Sequence, residues 1–241
     1  MESPGTLIGR GRAADVYDIG GGRVLRRYRD PKPAGFVERE AEAMMLLRSR
    51  GAPVPEVYDA HDVDLVMDRV AGRSMLDIVA SRPWRARAIG RRLGLLHATL
   101  HSIEVPADTA LRRLDGPAGD GNRVLHLDFH PDNVLLDGHD AMVIDWSNAA
   151  VGVPGLDVAT SWLLMVMGSV DNIPVLVRPI ARRVRRALIN GYLRERDPER
   201  ALALPWVSLA CERRLADPNT RPEEIERVRQ FAATYGGVEG Q

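Results

Sequence analysis

The sequence predicts an α+β fold in two parts, a small strand-rich one and then a larger helical one. The first third carries short apolar strands with one helix, and the chain after Asp145 is mainly helical in its periodicity. Between them lies HLDFHPDN, residues 126–133, which sets two His, two Asp and one Asn between apolar runs.

Residues 7–20 and 22–30 read as strands, with Gly20, Gly21 and Gly22 as the turn signal. Residues 35–51 read as a helix, because Val37, Ala41, Met44 and Leu47 recur at helical spacing. Gly51 suits its C-terminal cap, and Pro53 and Pro55 forbid continuation. On the helical wheel Glu40 falls on the apolar side, while Glu38 and Glu42 point away. A carboxylate on a core-facing stripe needs a partner. Residues 62–75 read as a strand entering a connector at Gly72, and 75–103 as helix broken near Pro83. Residues 104–121 are loop-like. The stretch 124–144 reads as a hairpin region: VLHL, the polar loop, NVLL, the turn DGHD, then AMVI. Beyond it, 161–170 reads as a buried helix, with further helices over 174–193 and 223–235. The two parts divide at 1–71 and 72–241.

The chain of 241 residues is 45% apolar and 27% charged, enough for a sizeable core. Its 33 acids balance 33 bases, which argues against nucleic acid as a partner, since phosphate backbones select a basic surplus. Cys211 is the only cysteine, so no intrachain disulfide forms, as suits a reducing cytoplasm. The opening MESPGTLIGRGRAAD lacks a signal peptide's apolar core, and the longest apolar stretch is too short for a bilayer. A cytoplasmic protein without a membrane partner is expected. Lys32 is the only lysine; every other base is an arginine.

Asp and Asn often fill turns through bonds to nearby backbone, so the polar loop alone has a structural reading. Asp128 and Asn133 flank it, however, and Asp145 ends the next strand in VIDW. A hairpin returns the chain, so Asn133 and Asp145 can converge. An oxygen-rich cluster of this kind suits Mg²⁺ and frees Asp128 to accept a proton from an attacking hydroxyl. Zinc suits it less. His126 and His130 could ligate it, but no other His or Cys follows at a zinc-type spacing.

H-x-D-x-x-x-x-N followed by a strand-end Asp resembles the motifs of the protein-kinase-like superfamily. The form HxDxHPxNVL…VIDW resembles the aminoglycoside phosphotransferase and choline kinase-like family of small-molecule kinases. Protein kinases usually carry Arg before the loop Asp and Phe-Gly after the metal Asp; here Leu127 and Trp146-Ser147 stand there. The resemblance runs from residue 6 to residue 165. It implies a protein-kinase-like two-lobed fold with a short acceptor-binding insertion. It implies ATP or GTP as donor with Mg²⁺, Asp128 as the base, and Asn133 and Asp145 as metal ligands.

IGRGRAADVYDIGGGRVLRRYR resembles the glycine-bearing first hairpin and the next strand, so Gly9, Gly11 and the N–H groups through Ala13 would cover phosphates. EREAEAMMLL resembles the helix supplying the ion-pair Glu, which falls on Glu40. LVMDRVAGRSM resembles the hinge, whose amides at Asp68–Val70 would meet adenine. GVPGLDVA resembles the segment after the metal site, where Asp157 would brace the catalytic loop; His126 and His130 are expected to hold that loop's shape. The family places Lys on the third strand. The matching position is Arg26, since alternation puts Arg27 on the other face with Leu25. Arginine is planar, bulkier and bidentate, so the change is not neutral.

The acceptor implied is a hydroxyl on a small molecule, an aminoglycoside-type antibiotic or a metabolite. The arginines at 178, 182, 183, 185 and 186 read as a solvated helix face. Trp162, Tyr192 and Trp206 read as core rather than a cage for a cation. The oligomeric state is left open. Two other readings compete: a pseudokinase or regulatory nucleotide-binding protein, suggested by Arg26 and the trimmed acceptor region, and a metal hydrolase using the His/Asp loop.

Overall fold

The computed structural model describes residues 4–11, 13–109, 111–168, 174–218 and 220–237. Strands β1 (Thr6–Arg10), β2 (Ala14–Gly20) and β3 (Arg23–Tyr28) open the chain and pair antiparallel. Helix α1 (Phe36–Ser49) leads to β4 (Val57–His61) and β5 (Asp64–Asp68). The sheet order is β1-β2-β3-β5-β4. Gly20, Gly21 and Gly22 all take positive φ, so the triplet is the β2–β3 turn. Residues 7–20 form two strands rather than one. β4 was not expected: VYDAH lies at the sheet edge, mostly exposed, so no apolar alternation marks it.

Val37, Glu40, Ala41, Met44 and Leu47 are buried on one face of α1. The chain then leaves the sheet through Gly72, at φ +100°, where an added Cβ would lie 2.2 Å from the Leu136 carbonyl oxygen. That close approach lets β6 (Arg73–Ser74) pair with the later strand β8 (Val134–Asp137). Ser74 caps α2 (Met75–Ser81) by accepting from the Asp77 N–H. A 3-10 turn at Pro83–Arg85 separates α2 from α3 (Ala86–Leu100).

The polar loop is not a hairpin tip. β7 (Arg123–Leu125), before it, pairs with β10 (Ala150–Gly152). β8 (Val134–Asp137), after it, pairs with β9 (Asp140–Val143). The loop is therefore a crossover between two small sheets, turned by a 3-10 turn at Pro131–Asn133 and by Leu127 at φ +59°. The β8–β9 pair is a true hairpin, and it draws Asn133 and Asp145 toward one end.

Among the described residues four α-helices follow: α4 (Pro154–Met167), α5 (Arg178–Arg196), α6 (Val207–Ala216) and α7 (Pro222–Tyr235). The apolar run at 161–170 lies within α4 as far as Met167; its last two residues fall outside the described ones. Trp162 packs against Phe231 and Tyr235, and Tyr192 is buried, so these rings are core. Arg182, Arg183 and Arg186 face solvent on α5. Among the described residues no helix is long and apolar enough to cross a membrane.

α3 and α5 cross through glycines. A Cβ at Gly90 would lie 2.0 Å from the Leu188 carbonyl oxygen, and one at Gly191 would lie 2.3 Å from that of Arg87. The backbones touch, which carries Tyr192 and Arg196 beneath the polar loop. Gly191→Ala should lower stability by about 1–3 kcal/mol through overpacking, read as a fall in the urea midpoint. An unchanged midpoint would show that the crossing tolerates a side chain.

Candidate active site

Asp157 sits in the first turn of α4, fully buried. Its Oδ2 accepts from the His126 N–H at 2.7 Å and its Oδ1 from the Leu127 N–H at 2.8 Å. The Nε2 atoms of His97 and His101, both on or just beyond α3, lie 3.1 and 3.0 Å from Oδ2. Four donors thus converge on one carboxylate. Burial pushes its pKa up, but the imidazoles and their hydrogen bonds outweigh this and hold it well below the usual carboxylate value.

The proton positions follow from the partners. An arginine can only donate, so Arg196 Nη2, 2.7 Å from His101 Nδ1, fixes that nitrogen as an acceptor and places the proton on Nε2. The Tyr192 hydroxyl, 2.8 Å from His97 Nδ1, completes the same pattern. His97, His101 and Asp157 have the residue types of a metal site. A His101 that donates from Nε2 and accepts at Nδ1 has no lone pair to offer, so the cluster is a hydrogen-bonded brace. Burial lowers the pKa of both histidines, His97 to about 3.

Held from below, the loop presents its polar groups upward. His126 joins the loop to the residue just beyond β9 by donating from Nε2 to the Ile144 carbonyl, and its Nδ1 accepts from the Asp128 N–H. His130 accepts from the Asp132 N–H, and its Nε2 lies 3.5 Å from Asp128 Oδ1. Asn133 Nδ2 donates to the Asp128 carbonyl at 2.9 Å and to Asp128 Oδ2 at 3.2 Å, which turns Asn133 Oδ1 away. The Ile144 N–H donates to the Asn133 carbonyl, which brings Asp145 beside this group. Burial pushes the Asp128 pKa up, against the pull of the neighbouring histidines.

Arg26 on β3 reaches across to the same place. Its Nη1 lies 2.6 Å from Glu40 Oε1 and its Nη2 lies 2.6 Å from Asp145 Oδ1. Glu40 Oε2 accepts from the Tyr28 hydroxyl. Arg27 instead forks onto Asp64. Of the two candidates, then, Arg26 meets the helix glutamate. Burial pushes Asp145 up, but Arg26, with the Ser147 hydroxyl on the same oxygen, takes it below the ordinary value. Asn133 and Asp145 each keep one oxygen with no hydrogen bond among the described residues, and two hard oxygen donors fit Mg²⁺.

Three of the amides expected to meet the nucleotide are engaged within the chain. The Asp68 N–H donates to the Glu56 carbonyl and the Arg69 N–H to that of Gly22, so neither is free for adenine. The Val70 N–H has no such partner among the described residues. The Gly11 N–H closes the β1–β2 turn on the Ala14 carbonyl, while Gly9 sits in β1 opposite Val16. Arg12, inside the expected phosphate-covering stretch, lies outside the described residues.

His97, His101, Tyr192 and Arg196 were not anticipated. The available signal was a pair of histidines four residues apart on the apolar face of a helix.

A strand sheet with one helix, a buried ion pair and a polar loop braced by a helix-borne carboxylate define a kinase of protein-kinase-like fold. The sequence matches the phosphotransferase enzyme family (APH) over residues 5–123 and 109–204, and the chain belongs to that family. It is 25% identical over 167 residues to the "Probable serine/threonine-protein kinase BUD32 homolog" of Archaeoglobus fulgidus, a match covering 68% of each chain. Among solved structures it resembles aminoglycoside phosphotransferase APH(4)-Ia, with 18% identity and a TM-score of 0.61, over 97% of this chain and 93% of that one. It also resembles amicoumacin kinase hAmiN in complex with AMP-PNP, Ca²⁺ and Ami, with 12% identity and a TM-score of 0.56, over 98% and 88%. These two likenesses concern the fold.

The buried brace sets an acid limit on stability. An unfolded histidine gains its proton near pH 6.5, whereas folded His97 resists until about pH 3. The unfolded chain therefore binds more protons throughout that window, and stability falls as pH drops through it. The slope approaches about 1.4 kcal/mol per pH unit for each such histidine. Urea unfolding at pH 7.5, 6 and 5 should show the decline, and His97→Gln should flatten it. A flat profile for the native protein would contradict the buried neutral histidines.

Proposed function

We propose that the protein transfers the γ-phosphate of ATP or GTP to a hydroxyl of a small molecule. The carrying observation is the convergence of Asp128, Asn133 and Asp145 with the Arg26–Glu40 pair. In this reading the acceptor hydroxyl gives its proton to Asp128 while its oxygen attacks the γ-phosphorus. The bond from that phosphorus to the β,γ-bridging oxygen breaks, and the nucleoside diphosphate leaves. The burial that raises Asp128's pKa makes it a better base. Asn133 and Asp145 would hold Mg²⁺, whose charge when bound offsets that of the phosphates. Arg26 holds Asp145 and Glu40 and would turn its remaining N–H groups to the phosphates. The Val70 N–H is the donor left for the base, and Gly9 lets the β1–β2 hairpin lie close over the phosphates. Asp157, His126 and His130 position the loop.

The short segment 104–121 on the acceptor side supports a small-molecule acceptor: an aminoglycoside-type antibiotic or a metabolite alcohol. A second reading, nucleotide binding without efficient transfer, is favoured by the direct bond from Arg26 to Asp145, which engages one carboxylate oxygen of the proposed metal ligand.

The test is Mg²⁺-dependent transfer from labelled ATP and GTP to a panel of aminoglycosides, other antibiotics, amino alcohols, sugars and nucleosides. Transfer by the native protein is expected, with Asp128→Asn slowing kcat by about 10²–10⁴ while nucleotide binding persists. Near-normal turnover would remove Asp128 from the chemistry. Asp145→Ala should abolish Mg²⁺-dependent nucleotide binding; intact binding would overturn the metal assignment. Arg26→Lys should leave activity equal or higher, and a collapse would mean that the guanidinium fork itself is needed. Nucleotide binding with no transfer to any acceptor is the outcome of the second reading.

A further inference from the structure

A cavity of about 240 Å³ lies between α1 and the segment that follows Asp145. Phe36, Arg39 and Glu40 line it from α1; Trp146, Ser147, Asn148 and Ala149 line it from that segment, and Arg112 from the loop before β7. Its formal charges are two arginines and one glutamate. The glutamate is already spent inward, with Oε1 on Arg26 and Oε2 on Tyr28. Among the described residues the Arg39 side chain donates to the Ala34 carbonyl and meets no carboxylate. The Arg112 side chain has no hydrogen-bond or ion-pair partner among the described residues. Arg112 also has a like charge beside it. The Arg213 guanidinium on α6 is shifted down by burial and by Arg112, with Asp115 the one acid opposing this.

The cavity thus carries at its wall a half-buried and an exposed arginine, neither with a carboxylate partner among the described residues, next to the polar side chains of Ser147 and Asn148. Its volume falls below the roughly 300–1,000 Å³ usual for drug-sized ligands, so it suits one compact group. The main chain at Arg112 is fixed: its carbonyl accepts from the Val151 N–H, and the Leu114 N–H donates back to the Val151 carbonyl. Both arginines line the one cavity, and the guanidinium fork is the group by which arginine binds phosphate and carboxylate.

We infer that this cavity, with Glu40 and Ser147 in its wall, is an anion site that takes a single phosphate or carboxylate group between Arg39 and Arg112 and is filled independently of the nucleotide. An anion held there ties α1, which carries Glu40, to the segment that begins at Asp145. Its occupant is a small phosphorylated or carboxylated molecule, or free phosphate.

The test is titration calorimetry on the full chain in an anion-poor buffer, with inorganic phosphate, glycerol 3-phosphate and succinate as separate probes. Each is run with and without saturating ADP, so that binding at this cavity is read independently of phosphoryl transfer. At least one probe is expected to bind in the millimolar range, with ADP present or absent. Arg112→Gln and Arg39→Gln should each weaken it tenfold or more, whereas Arg183→Gln on the exposed face of α5 should leave it unchanged. The probe that binds most tightly names the source: free phosphate, a phosphomonoester or a carboxylate. Competition by ADP, equal binding by Arg112→Gln, or no binding of any probe up to about 20 mM would overturn the site.

Discussion

The structure around the polar loop depends on one buried carboxylate. Asp157 has no access to water, so its charge is tolerable only because four donors meet it. Two are backbone N–H groups of the polar loop, and two are imidazoles whose protons are fixed in turn by Tyr192 and Arg196. Removing any one leaves a buried polar group unpaired, at about 1–3 kcal/mol for a neutral donor and more for a charge. The loop's backbone path is therefore tied to α3, α4 and α5 together. The glycine crossing of α3 and α5 belongs to the same arrangement, because it is what lets Tyr192 and Arg196 reach the histidines.

Arg26 plays the corresponding part from the strand side. A lysine presents a single ammonium, which must choose among its partners or sit between them. The guanidinium fork reaches Glu40 and Asp145 at once, both at 2.6 Å. This joins the N-terminal sheet, α1 and the end of β9 through one side chain. Buried pairs of this kind add little net stability, yet removing one partner costs about 3–5 kcal/mol because a charge is left behind. The arginine therefore specifies a geometry more than it stabilises the fold.

Much of this was legible in residue order. Glu40 betrayed itself by lying on the apolar side of α1, where a charge must find a partner, and β-strand alternation separated Arg26 from Arg27. Asp128, Asn133 and Asp145 were readable because a hairpin between the last two is a local event. What escaped depends on long-range pairing. That β7 joins β10 and not β8 is decided by contacts across the polar loop, and no local pattern encodes it. The hinge amides looked free because the carbonyls that engage them, on Glu56 and Gly22, come from elsewhere in the sheet. The two histidines of α3 were readable only as an oddity on an apolar face, since Asp157 lies 60 and 56 residues away.

The backbone shows where this bracing is used. Leu127 and Asp145, on either side of the polar loop's functional groups, both hold left-handed φ, at +59° and +64°. For residues with a Cβ that conformation costs roughly 1–2 kcal/mol, and such strain persists only where the surroundings over-determine it. Each residue has its own restraint: the Leu127 N–H is held by Asp157 Oδ1, and the Asp145 side chain by Arg26 and Ser147. Leu127 holds its left-handed φ just before Asp128, whose carboxylate lies beside Asn133 and His130. The orientation of the proposed base is thus set by a buried carboxylate one helix away, and that of the proposed metal ligand by an arginine in the opposite part of the chain.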